Sequence, residues 1–136
     1  MVIVTPNIEI LLRLVVSTLL GSAIGYERKS KHHGIGLRTA SLISLTACLF
    51  TIAGTYNFDA TNIARVVQGL AAGVGFIGAA LIWKHKEKTV RGLTTAVSVW
   101  FLTAVGIAVG IGNYFVAILS TVIALIVLVL KRVGVE

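Results

Sequence analysis

Little in this chain would dissolve in water. Only 12% of its 136 residues are charged, against about a quarter in an ordinary soluble domain. From Gly92 to Leu130 not one Asp, Glu, Lys or Arg occurs over 39 residues. As one straight helix that run would be roughly 58 Å long, at about 1.5 Å per residue. A bilayer's hydrocarbon core is only about 30 Å thick. The segment is therefore expected to cross twice, turning at Gly110-Ile111-Gly112-Asn113.

Other absences narrow the field further. The single cysteine, Cys48, excludes an internal disulfide and lies in an apolar run, where it reads as a small core hydrophobe. No Walker-type GxxxxGK[ST], HExxH or CxxC occurs, and no serine has a credible histidine or carboxylate partner. Catalysis is not expected, and neither is a cofactor. The adjacent His32 and His33 point apart on any helix, so no metal site is assigned. A cleavable signal peptide is not evident, because the first eight residues lack a basic group and Arg13 interrupts the apolar stretch.

What is present is a series of apolar runs of crossing length. Spans are predicted at about 8–26, 39–57, 66–83, 93–110 and 114–130. The period-two alternation of a β-barrel is missing. The fold class expected is all-α: one polytopic domain over residues 1–136, a bundle of about five transmembrane helices.

The net charge of +7 acquires meaning from its placement. Arg28, Lys29, Lys31 and Arg38 fall between the first two spans, and Lys84, Lys86, Lys88 and Arg91 between the third and fourth. Lys131 and Arg132 follow the fifth. Ten of the twelve basic residues thus share one side of an alternating path. Positive charge is retained in the cytoplasm, so the N-terminus is expected outside and the C-terminus inside. The charge serves topology and anionic headgroups, and no nucleic-acid partner is expected.

Within lipid, close approach of small residues carries helix packing. Gly21-x-x-x-Gly25, Gly69-x-x-x-Gly73 and Gly106-x-x-x-Gly110 supply three such stripes, with Gly75 and Gly78 adding to the densest. They point to tight contacts within a protomer or between protomers, and the spacing does not choose; a homo-oligomer, a dimer first, is the expectation. Span five, apolar on all faces, reads as peripheral.

Several polar groups sit at membrane depth. Arg13 admits two readings: snorkelling to the outer interface, or an inward structural role on a stripe continued by Ser17, Gly21 and Gly25. Arg65 opens span three, with Gln68 one turn deeper. Arg91, Thr94 and Thr95 open span four, with Ser98 beyond. Glu27, Arg28, Arg38 and Arg91 are expected to gather at the cytoplasmic membrane face, with Glu27 pairing one of the arginines. Each of these arginines alone would otherwise serve as an interfacial anchor. Trp83 and Tyr114 fall at span ends, and Trp100 is expected to pack among helices.

Four ordered motifs resemble the MgtC/SapB family of bacterial membrane proteins. They are Gly21-Ser-Ala-Ile-Gly25-Tyr26-Glu27-Arg28; Gly34-Ile-Gly36-Leu37-Arg38-Thr39; Gly73-Val-Gly75-Phe76-Ile77-Gly78-Ala79; and Arg91-Gly92-Leu93-Thr94-Thr95-Ala96. Arg65, Trp100, Gly106, Gly110 and Gly112 extend the match, which runs from about Leu11 to Tyr114. The resemblance implies an inner-membrane protein linked to magnesium limitation and, in some pathogens, to survival inside host cells. It implies either regulation of other membrane proteins, the ATP synthase among them, or transport of Mg²⁺ or another small ion. Two departures stand out. Ala80 replaces the last glycine of a Gly-Ala-Gly run, and the soluble C-terminal domain of some relatives is not expected in the residues up to Glu136.

Overall fold

A computed structural model describes residues 6–29, 35–56, 60–84 and 90–130. Five helices account for most of them: α1 (Pro6–Lys29), α2 (Leu37–Tyr56), α3 (Ala60–Ala80), α4 (Leu93–Gly110) and α5 (Tyr114–Leu130). Two-residue strands β1 (Trp83–Lys84) and β2 (Val90–Arg91) pair antiparallel between α3 and α4. Proline at the first position of α1 suits a helix start, where its missing N–H has no intrahelical acceptor.

Four helices, α1 to α4, are long and apolar enough to cross a membrane. The fifth is apolar but 17 residues long, about 26 Å at the rise of an α-helix. Helix α3 begins six residues before the predicted span. It takes Arg65 into its second turn and ends at Ala80, where Leu81 and Ile82 bond back to the carbonyls of Gly78 and Ala79. The apolar run continues past Ala80, which is why sequence hydropathy placed the span too late. Lys31, His32, His33, Gly34, Asn57, Lys86, Glu87, Lys88, Lys131 and Arg132 lie outside the described residues.

The centre of the bundle is α4, 56% of which is buried. Leu102, Val99, Val105 and Val109 fill its inward face, while α1, α2, α3 and α5 all pack against it. Trp100 does not join them. It is 58% exposed, on the same outer face of α4 as Val97 and Leu93, so the expectation that it packs among helices is corrected.

Glycine sets the closest approaches. A Cβ at Gly21 would stand 2.9 Å from the Ala40 carbonyl oxygen, and one at Gly25 would stand 2.7 Å from the Ala40 Cβ. At Gly106 it would run into the Ser44 carbonyl, and at Gly110 it would come within 2.6 Å of the Thr51 Cβ. Helices α1 and α4 therefore clasp α2 from two sides. Hydroxyls reinforce the first contact: Ser17 Oγ donates to the Ser44 carbonyl at 2.8 Å, and Ser22 and Ser41 share a bond of 2.8 Å. Interhelical bonds of this kind contribute about 0.6 kcal/mol each in a bilayer, so the glycine contact matters more than any one of them.

Helix α3 is the exception. Only 6% of Asn62–Ala80 is buried. Its neighbours are α2, where a Cβ at Gly54 would meet Val66 at 2.6 Å, and α4, where Gly78 faces Ala96 at ordinary contact distance. Helix α5 is peripheral as expected, with only Ala117 and Thr121 buried among its residues.

Candidate functional site

At the end of the bundle where α1 finishes and α4 begins, Arg28 turns inward. Four residues before it, Ile24 is buried against α4, and the helical repeat carries Arg28 onto the same face. Its side chain is 3% exposed, and Nη2 donates to the Thr95 hydroxyl at 2.6 Å. Its Nε is buried with no hydrogen-bond partner among the described residues. Glu27 is adjacent, close enough for its carboxylate to act on the Arg28 charge.

Thr95 lies in the first turn of α4. Gly92 precedes that turn in the left-handed region, at φ 89°, and provides no side-chain cap. The amides of Leu93, Thr94 and Thr95 come before the first intrahelical bond, which runs from Ala96 N–H to the Gly92 carbonyl at 2.9 Å. Ser98 donates back to the Thr94 carbonyl at 2.7 Å and so closes its own hydroxyl.

The other predicted residues are placed differently. Arg38 in the first turn of α2 and Arg91 in β2 are exposed, in contrast to the buried Arg28. Arg65 and Gln68 are exposed on α3. Arg13 is held at the opposite end, bonded to Glu9 and donating from Nη1 to the Gly110 carbonyl at 2.6 Å. That is the inward structural role. Among the described residues no group of three His, Cys, Asp or Glu could hold a metal ion.

The three glycine stripes also divide. Gly21, Gly25, Gly106 and Gly110 are consumed inside the bundle, whereas a Cβ at Gly69, Gly73 or Gly75 would meet nothing within 4 Å. Gly69 and Gly73 instead line an apolar groove of about 650 Å³ between α2 and α3, with Leu42, Phe50 and Ile77 on its walls. A second groove, about 380 Å³, opens between α4 and α5 over Ile24. Sequence spacing announced neither groove, because a groove depends on how far neighbouring helices diverge. Gly54 was also missed, whereas Gly112 lies in the turn expected from the sequence, where it follows the last apolar turn of α4 and adopts φ 87°.

The family model that matches this chain is that of the MgtC family, over residues 14–135. Protein SrpB of Synechococcus elongatus is 36% identical, over 85% of this chain and 71% of its own. The putative magnesium transporter YhiD of Escherichia coli is 37% identical, over 88% of this chain and 59% of its own. Protein MgtC of Brucella abortus is 37% identical, over 84% of this chain and 48% of its own. The chain thus spans about half to three fifths of the length of the last two relatives. No solved structure matches it.

Proposed function

The chain belongs to the MgtC family of membrane proteins, and we propose that it works there as a non-enzymatic protein of the bacterial inner membrane. It acts by associating with other membrane proteins, regulating them under magnesium limitation or related stress. Its own association into a homo-oligomer, a dimer first, belongs to the same reading. So does the topology with the N-terminus outside, all five helices crossing, and the basic end in the cytoplasm.

The observation that carries this reading is the open face of α3. The helix richest in small residues is the least enclosed of the four long ones, and Gly69, Gly73 and Gly75 have open space where a Cβ would be. In lipid such a face gains little from acyl chains that another helix could not supply better by close backbone approach. The test is association in membranes. Gly69→Phe and Gly73→Phe should reduce disulfide or photochemical crosslinking, to a second copy and to partner proteins, while leaving the helical content of the isolated chain unchanged. Unaltered crosslinking in both variants would exclude α3 as the associating face.

A second reading is transport of Mg²⁺ or another small ion, favoured by the name of the E. coli relative. Magnesium requires oxygen ligands, usually one or two carboxylates with waters. Glu9, the acidic residue near the outer end of α1, is paired with Arg13. Hydroxyls such as Thr94, Thr95 and Ser98 would then have to line the route with backbone carbonyls. Flux of Mg²⁺, protons and phosphate into liposomes separates the readings. Saturable transport that is lost in Glu27→Gln or Arg38→Ala would favour the transporter.

A further inference from the structure

The groove between α4 and α5 is lined by Ile24, Val97, Phe101, Ile123 and Val127, and the two serine hydroxyls on its walls are spent on their own helices. Ser98 bonds the Thr94 carbonyl and Ser120 bonds the Ala117 carbonyl at 3.1 Å. Away from Thr94 at one end, the walls offer an occupant mainly apolar surface. A whole helix, about 10–12 Å across with side chains, would not sink into a groove of about 380 Å³. An alkyl chain meets both conditions.

One end of the groove has the opposite character. Thr94 lies on its wall, in the first turn of α4. There the amides of Leu93 to Thr95 precede the first intrahelical bond, and Gly92 at the N-cap offers no side-chain cap. Arg91, two residues before α4 begins, is exposed. Arg28 lies one helical turn beyond Ile24, 3% exposed, bonded to Thr95 and with Nε unpartnered among the described residues. The amides of the first turn, the helix dipole and two guanidinium groups, one of them beside the Glu27 carboxylate, leave this end net positive and so complementary to a phosphate. An alkyl chain leading to a phosphate describes a phospholipid anion.

We propose that the α4–α5 groove holds an acyl chain of one anionic phospholipid, whose phosphate sits on the N-terminus of α4 with Arg91 and the buried Arg28 supplying positive charge around it. This inference stands independently of the proposed function, because the groove and the α3 face lie on different helices.

Native mass spectrometry of the full chain, extracted from membranes with equal amounts of phosphatidylglycerol and phosphatidylethanolamine of matched chains, tests it. One retained phosphatidylglycerol is expected, favoured about tenfold, the factor that one good anion contact at a helix N-terminus supplies. Arg91→Gln should remove the headgroup preference while some lipid of either kind remains bound. Ala124→Phe should fill the groove and abolish retention of both lipids. If Ala124→Phe loses helical content by circular dichroism, Val127→Trp at the exposed rim takes its place. Equal retention of the two lipids by the wild type would overturn the proposal, as would undiminished phosphatidylglycerol in the groove-filling variant. Inorganic phosphate binding to delipidated protein, with no lipid retained beforehand, would also overturn it in favour of a free anion.

Discussion

The Arg13 guanidinium donates to the Gly110 carbonyl at 2.6 Å, and this bond completes the C-terminus of α4. The turn there is a Schellman motif: Asn113 N–H reaches the Ala108 carbonyl at 2.8 Å and Gly112 N–H reaches Val109 at 2.9 Å. Ile111 N–H takes the Ile107 carbonyl at 3.0 Å. Gly110 is the carbonyl of that last turn left over, and a side chain from α1 takes it. An arginine that costs about 2.5–3.5 kcal/mol at a helix centre is tolerated here because it pairs with Glu9 and terminates another helix.

Arg13→Ala should therefore destabilise the bundle by about 1–3 kcal/mol, the cost of a part-buried acceptor left without its donor. Thermal unfolding in detergent would show it. Arg13→Lys should restore part of the loss, since an ammonium can reach one carbonyl but lacks the fork that also engages Glu9. Equal melting of Arg13→Ala and wild type would mean that the guanidinium merely snorkels.

The glycine stripes predict a sharp contrast. Gly106→Ala forces a methyl against the Ser44 carbonyl and within 2.7 Å of the Ala47 Cβ. Because the obstacle is backbone, the cost should reach or exceed the roughly 1–3 kcal/mol of ordinary overpacking. Gly69→Ala meets nothing within 4 Å and should be neutral or stabilising by about 0.5–1 kcal/mol through helix propensity. Melting temperatures of the two variants as monomers in detergent decide the matter.

Gly106 and Gly69 also show how much was legible beforehand. Apolar runs of crossing length, bounded by basic loops, announced an all-α bundle because a span must satisfy its own backbone in lipid. The GxxxG spacing revealed which residues share a helix face, but not which neighbour that face meets. Two of three identical signals were consumed inside the chain and the third was left open. The same limit applies to arginine. Arg28, Arg38 and Arg91 all lie near helix ends, and only the phase of Arg28 with Ser17, Gly21 and Ile24 placed it on the packed side. Its partner Thr95 lies 67 residues away, a pairing no local pattern encodes.

Topology gives a prediction independent of energetics. In a Cys48→Ala background, cysteines at Arg38 and Arg91 should react with impermeant maleimide only when it is supplied from the cytoplasm. A cysteine at Asn113 should react only from the periplasm. All three positions are exposed, whereas Cys48 itself is buried. The reverse pattern would turn the protein over in the membrane and remove the positive-inside assignment.

The last prediction concerns why Arg28 is kept at a site where burial is costly. Thr95→Val removes the acceptor but leaves the charge enclosed, so it should destabilise by about 1–3 kcal/mol. Glu27→Leu combined with Arg28→Met removes both neighbouring charges and their desolvation penalty together, and a well-packed apolar replacement for a buried ion pair is often neutral or better. Adding Thr95→Val to that charge-free pair should therefore cost less than Thr95→Val in the wild type, with a coupling of about 0.5–3 kcal/mol in the double-mutant cycle. If stability were the purpose of the contact, the charge-free pair would be the worst of the set. If the charge is held for the anion at the start of α4, Glu27→Leu combined with Arg28→Met should fold at least as well as wild type yet lose its preference for phosphatidylglycerol.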